Sequence, residues 1–221
     1  MAQETSSAAE TPVAETPTDG ASATAGVWDS EPFFAAAAAG EKRALRKQLE
    51  TEGFVRRVDA EGRTPLFALL HTDDDEVIEV LVAAPLDVDA QDADGRTVLS
   101  HLASSSSEAA AGIVARLLGR GAAPSLEDRF GRGPLAYAAH ANKLAVARSL
   151  LEAGAAVDQR DGNGATPLIY AAGGGYYQVV ALLLEHGADP STVAKNGATA
   201  RALAVERNYR RVVRLLDRHS G

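Results

Sequence analysis

GATPLIYAAGGGYYQVVALLLEHGADP, residues 164–190, decides the fold. Gly164 closes a tight turn, a place where glycine can take positive φ. Thr166 then suits a helix N-cap and Pro167 the first helical turn. After a Gly-rich break at 173–175, Val179, Val180, Leu183 and Leu184 fall on one face of a second helix. Gly187 stands at its C-terminal stop, followed by Ala188. The same wording recurs in both directions. Gly62, Gly95, Gly131, Gly164 and Gly197 follow one another at intervals of 33, 36, 33 and 33 residues. A fixed period near 33 is the mark of a stacked repeat array.

The other units repeat the pattern with variations. DAEGRTPLFALL (59–70) opens with Asp-x-x-Gly, and Thr64 caps a helix whose stripe holds Leu66 and Leu69. Its second helix carries Val77, Ile78, Leu81 and Val82. The equivalent sets are Ile113/Val114/Leu117/Leu118, Val146/Ala147/Leu150/Leu151 and Val212/Val213/Leu215/Leu216. Gly121 and Gly154 take the same stop place as Gly187. Ahead of these units, Ser30 reads as an N-cap, Phe33–Gly40 as one helix and Lys42–Glu50 as a second, a cap without its own turn. SSSSEAAAG (104–112) holds the three residues that stretch one interval to 36, placed between the two helices of that unit. Val98 replaces Pro, Gly133 replaces the capping Thr, and Arg201 stands where the others have Leu66, Leu99, Leu135 and Leu168. A polar residue there suits a terminal unit with no neighbour beyond it.

On these residues the chain resembles the ankyrin-repeat family: Gly-x-Thr-Pro-Leu-x-x-Ala-Ala, then Val-Val-x-x-Leu-Leu-x-x-Gly-Ala-Asp. The resemblance covers about 29–221. It implies an all-α solenoid of L-shaped units, each a β-turn finger and two antiparallel helices. It divides the chain into an N-terminal cap half-repeat (29–58), repeats at 59–91, 92–127, 128–160 and 161–193, and a C-terminal cap repeat (194–221). It also implies a concave face, made by fingers and first helices, on which such proteins bind partners.

Composition narrows the function. The chain has 221 residues, 46% hydrophobic and 5% aromatic, with a formal charge of −8. An acidic balance argues against a general nucleic-acid binder. With no cysteine there is no disulfide, thiolate metal site or cysteine nucleophile. Residues 1–28 are rich in Ala, Ser, Thr and Pro, and residues 1–30 hold acids but no Lys or Arg. This reads as a disordered acidic tail and gives no sign of a secretory or transit signal. Trp28 reads as a staple onto the first helix. No stretch approaches the roughly 18 apolar residues of a membrane span. A soluble intracellular monomer, cytoplasmic with the nucleus left open, is expected.

The sequence offers no catalytic constellation, no metal site and no cofactor site. GNGATPL and AAGGGYY lack the Lys-Ser/Thr of a phosphate loop. DDDE (73–76) reads as a loop opening the second helix, where acids favour the dipole. His71 and His140 hold the same place two units apart, too far to share a metal.

The candidate site is therefore a partner surface. Arg63, Arg96 and Arg132 follow the finger glycine in three successive units. A row of guanidiniums suits an extended acidic segment, because Arg pairs carboxylates bidentately; local pairing with Glu61 and Asp94 is the competing reading. Phe130 occupies the finger place held elsewhere by Glu61, Asp94 and Asn163, and an aromatic there reads as an interface anchor or as packing on a neighbouring finger. His71 and His140 end their first helices facing the groove, either as part of that surface or as solvated helix-end histidines. Tyr137 and Tyr170 are expected to stack within the core of the array. Residues 195–221 carry Lys195, Arg201, Arg207, Arg210, Arg211, Arg214 and Arg218 against Glu206 and Asp217, a net of +5. That is either a solvated outer face or a patch for an acidic partner, nucleic acid or phosphate. The function expected is a non-enzymatic protein-binding module acting as adaptor, inhibitor or assembly chaperone. An accessory subunit of an enzyme complex is the other alternative.

Deleting residues 1–26 is expected to leave the thermal midpoint nearly unchanged. A fall of several degrees would show that this segment packs on the array.

Overall fold

The computed structural model describes residues 28–219. Apart from a short 3-10 turn at Phe54–Arg56, the helical elements among them are eleven α-helices and a seven-residue 3-10 helix, Pro65–His71. They come as six hairpins. Each has an inner helix: α1 (Glu31–Ala38), the 3-10 helix, α4 (Val98–Ser104), α6 (Pro134–His140), α8 (Pro167–Gly173) and α10 (Ala200–Glu206). Each inner helix is followed by an outer one: α2 (Lys42–Leu49), α3 (Asp75–Ala83), α5 (Ala110–Gly119), α7 (Leu144–Glu152), α9 (Tyr177–Glu185) and α11 (Arg210–His219). Inner helices pack on inner helices and outer on outer, in chain order, so the array is two helical layers deep. The expected all-α solenoid is what the residues build.

The apolar sets fill the space between the layers. Val77, Ile78, Leu81 and Val82 are buried, as are Val146, Ala147, Leu150, Leu151, Val179, Val180, Leu183 and Leu184. In α11, Val212, Leu215 and Leu216 are buried and Val213 is partly covered. Small residues bring the inner helices close: Ala138, Ala139, Ala171, Ala172 and Ala204 have no exposure. Gly121, Gly154 and Gly187 end their outer helices at φ +88, +86 and +85, and the following alanine amides bond back to Leu117, Leu150 and Leu183.

Between hairpins the chain projects as a finger. Asp59, Asp92, Asp128 and Asp161 each begin one, and each returns through an amide bond to the carbonyl four residues on. Successive fingers are joined by single backbone bonds: Ala93 N–H to Glu61 O, Arg129 to Asp94, Gly162 to Phe130 and Lys195 to Asn163. This explains the finger glycines. Gly62 and Gly95 lie at φ +75, and a Cβ on either would come within 2.9 Å of the next finger's amide nitrogen. A larger residue would force both the φ angle and the joint between fingers.

Several expectations need correction. Residues 1–27, which carry the expected acidic tail, lie outside the described residues. Trp28 does pack as expected, edge-on to Phe33, Phe34 and Phe54 at 5.9, 5.9 and 5.4 Å. The first helix starts at Glu31, with Pro32 in its first turn, two residues earlier than expected. Ser30 sits at its N-terminus without capping it; its hydroxyl donates to Asp59 at 2.7 Å instead. Thr64 and Thr166 precede their helices yet make no side-chain cap, and both hydroxyls are buried without a partner. Of the threonines at these places, Thr97 and Thr199 do cap, accepting from the Ser100 and Ala202 amides. Gly133 holds the N-cap place of α6, where a Cβ would strike the Gln159 side chain. The three extra residues do fall between α4 and α5. Asp74 accepts from Glu76 and Val77 amides, so DDDE opens α3 as expected.

The threonines separate two effects. Thr97→Val removes a cap and leaves the Ser100 amide bare, which should cost about 1 kcal/mol. Thr166→Val removes a buried hydroxyl that bonds to nothing and should be neutral or stabilising. Urea midpoints of the two variants check this; equal losses would contradict it.

Candidate functional site

The finger carboxylates hold the fingers against the inner helices, on the face where the expected site residues lie. In each of the first four fingers, one Asp oxygen accepts two amides of its own turn. Asp59 Oδ1 takes Glu61 and Arg63, Asp92 takes Asp94 and Arg96, Asp128 takes Phe130 and Arg132, and Asp161 takes Asn163 and Ala165, all between 2.8 and 3.0 Å. The other oxygen points to the inner helix. Nine residues after the Asp, Tyr137 donates to Asp128 and Tyr170 to Asp161, both at 2.5 Å. At the same place His101 Nε2 meets Asp92 Oδ2 at 2.7 Å. Asp59 has no such partner on its own helix and is served by Ser30 and Arg63.

This overturns the expectation that Tyr137 and Tyr170 stack in the core. They are half-buried, with their hydroxyls holding fingers in place. A ring long enough to cross the groove and tipped with a donor does what a core aromatic cannot. Their recurrence nine residues after the finger Asp, together with His101, is the sequence signal that would have found them.

The electrostatics follow the bonds. Burial pushes the Tyr137 and Tyr170 hydroxyls up to about 12, and the bonds to Asp128 and Asp161 push the same way. For Asp128 burial opposes ionisation, but the Tyr137 hydroxyl, two backbone amides and Arg132 outweigh it and hold the carboxyl below 3.8. Asp59 is lowered likewise, with Ser30 and Arg63 overcoming burial. Burial lowers His101 below 6.5; the bond to Asp92 acts against this, and Arg96 adds to it.

The predicted site residues fall into three groups along the face. At the N-terminal end, Arg63 pairs Asp59 at 2.8 Å and Glu61 at 3.2 Å, and lies over the Phe34 ring. His71 stacks on the same ring at 4.9 Å. In the middle, Arg96, Arg132 and Phe130 come together around Tyr137. Arg96 and Arg132 lie over the Tyr137 ring at 4.3 and 4.8 Å, and Arg129 and Arg132 lie over the Phe130 ring, each at 4.8 Å. Phe130 remains 47% exposed. Arg132 is paired to Asp128 at 3.1 Å, and Asp94 pairs Arg129 rather than Arg96. Towards the C-terminal end, His140 and Asn163 line a groove of about 420 Å³ with Tyr170, Tyr176 and Arg207. His140 meets Tyr170 edge-on at 5.5 Å.

The last helix is a separate surface. Arg201 pairs Asp217 at 2.6 Å and Arg211 lies over Tyr177. Arg210 and Arg214 border a groove of about 290 Å³ that includes Val205, 51% exposed.

A family model described as Ankyrin repeats (3 copies) matches residues 106–194 and 159–220. The chain belongs to the ankyrin-repeat family. No curated protein matches it. Ankyrin repeats are in general modules for protein–protein interaction and typically have no enzymatic activity. Among the described residues, no helix is long and apolar enough to cross a membrane, and no group of three or more His, Cys, Asp or Glu could hold a metal ion.

The histidine clamp makes a pH test. His101 sits below its unfolded value of 6.5, so the native state binds fewer protons than the unfolded state. The stability this gives is complete above about pH 6.5 and is lost as pH falls through the lowered native value. His71, lowered by burial and then by Arg63, adds to the same trend. Stability should therefore decline on going from pH 7 to pH 5. His101→Tyr, which installs the donor found in the next two repeats, should flatten that decline. Urea unfolding at both pH values checks this, and an unchanged slope would contradict it.

Proposed function

We propose that this ankyrin-repeat protein is a non-enzymatic binding module that holds a partner protein on the concave face made by its fingers and inner helices. It acts as an adaptor, inhibitor or assembly chaperone. The observation that carries this reading is Phe130. A phenyl ring left 47% exposed on a finger, with two guanidiniums against it, is a ready anchor for an interface. The arginines around it favour a partner with an acidic segment. Asn163 and His140 extend the surface into the adjoining groove, and Arg63 and His71 extend it the other way. We take the working unit as a monomer in the cytoplasm. Its cap is at 29–58, its four repeats run over 59–193, and its closing repeat is 194–221.

A second reading rests on the last helix. There Arg210 and Arg214 border an apolar groove with a half-exposed valine, which would suit an acidic partner of a different shape. Binding there by phosphate or nucleic acid would fall steeply with salt.

The two surfaces are separable by mutation. With a partner captured by the intact chain, Phe130→Ala should weaken binding by about 2 kcal/mol or more. Arg132→Ala should weaken it and reduce its salt dependence. Arg214→Ala should do little. Calorimetric titration of each variant checks this. Loss of binding in Arg214→Ala alone would move the interface to the last helix.

A further inference from the structure

The finger arginines are not equivalent, and the difference lies in one side chain. In the first and third fingers the arginine four residues after the Asp folds back onto it. Arg63 Nε reaches Asp59 at 2.8 Å and Arg132 Nε reaches Asp128 at 3.2 Å. Asp128 Oδ2 takes the Tyr137 hydroxyl and Arg132 together; in the second finger, where His101 stands in the tyrosine's place, Asp92 Oδ2 meets His101 Nε2 at 2.7 Å and Arg96 does not reach it. Arg96 is left without a carboxylate partner among the described residues. Its guanidinium lies on the Tyr137 ring instead, 4.3 Å from the centroid. Its Nη2 reaches only the Ser100 carbonyl at 3.3 Å and the Ser104 hydroxyl at 3.4 Å, both long. Its Nε is shut off from solvent and has no partner.

A half-buried cation with no counter-ion is costly unless something supplies one. The tyrosine face offsets part of that cost and fixes the plane of the guanidinium. With Nε closed off, an incoming carboxylate must meet the Nη nitrogens. Arg132 lies over the same tyrosine ring and also over Phe130, so the exposed phenyl ring belongs to the same cluster.

We propose that Arg96 is the receptor for one carboxylate side chain of an extended partner segment, with the apolar neighbour of that carboxylate resting on Phe130. This rests on the concave-face reading above and narrows it to one contact. His101 is the positioning residue. By holding Asp92 it keeps Arg96 available, and it touches no partner atom.

The test uses the full chain, nitrogen-15 labelled, at low salt. The probe is acetyl-Glu-Leu-Glu-Leu-Glu-amide, with the Gln-for-Glu peptide as its control. The arginine Nε–Hε signals are followed through the titration. The acidic peptide should move the Arg96 signal in a saturable way while the Gln peptide leaves it in place. Arg96→Gln should weaken peptide binding about tenfold, the loss of one charge-assisted bond. His101→Phe should also weaken it several-fold. In that variant, without peptide, the Arg96 signal should take on the character of Arg132, because Asp92 is then free to capture it. The Arg132 and Arg63 signals report whether the fingers of each variant are intact.

Equal response to both peptides, or a response of Arg63 and Arg132 without Arg96, overturns the proposal. So does no response at millimolar peptide. So does an Arg96 signal in His101→Phe that is unchanged and still binds the peptide normally. The wider reading is judged apart from this. If Phe130→Ala weakens a captured partner while Arg96→Gln does not, the concave face stands and the carboxylate contact fails. If neither substitution matters, the concave face itself fails.

Discussion

The carboxylate that begins each finger is the constraint on which the face depends. One oxygen binds two amides of the turn and so fixes its shape. The other binds a side chain of the inner helix, or of the cap in the case of Ser30, and so fixes the turn against the layer below. Bonds to an ionised acceptor are worth roughly twice those between neutral groups. At Asp59 and Asp128 the donors outweigh burial and hold the carboxyl below its ordinary range. Because the fingers are joined to one another by single backbone bonds, holding each turn also holds the register of the row. The last finger shows what happens without this acid. Ala194 takes its place, and the turn is braced by Asn196, whose side-chain oxygen accepts only the Ala198 amide. Gly197 keeps its φ of +81 although no further finger approaches it.

The same acid sets the direction of the charged residues that a partner would meet. An arginine four residues on can fold onto the carboxylate, as Arg63 and Arg132 do, or be displaced, as Arg96 is. A row of guanidiniums therefore does not translate into a row of free charges. Two of the three are paired to the carboxylate of the finger that presents them. Of the three, Arg96 alone has no carboxylate partner among the described residues, and it lies on Tyr137.

What was legible in the sequence is what depends on local periodicity. The 33-residue step, the paired apolar positions of the outer helices and the Gly-Ala stops all follow from residues close in the chain, and they appear as read. Contacts that cross from finger to helix were not legible, because they depend on where two elements end up relative to each other. Ser30 has the right identity for a cap, yet Asp59, 29 residues away, offers its hydroxyl a charged acceptor. Thr166 sits in the same sequence context as a capping threonine and makes no such bond. Tyr137 and Tyr170 were read as core because they recur with the helices; the recurrence was right, but the finger acid nine residues earlier gives the ring tip a better place than the core does. Arg63 was read correctly as open to pairing with Glu61, while Asp94 pairs with the neighbouring finger's Arg129, not with Arg96.

These particulars bear on how a repetitive scaffold becomes specific. In an array, stability is close to a sum over units and their interfaces, so the parts that repeat are the parts that hold the fold. Discrimination between partners must come from the positions that break the repeat. Phe130 breaks it at a finger tip where neighbours carry Glu61, Asp94 and Asn163. His101 breaks it one repeat earlier, at the root of a finger, where the next two repeats have tyrosine. The first change adds an exposed ring. The second replaces a tyrosine by an imidazole on the finger carboxylate, which is shared between turn and groove. On the reading proposed for Arg96, a residue at the root of a finger shapes the face through the carboxylate it shares with the turn, here by what replaces the tyrosine at that place.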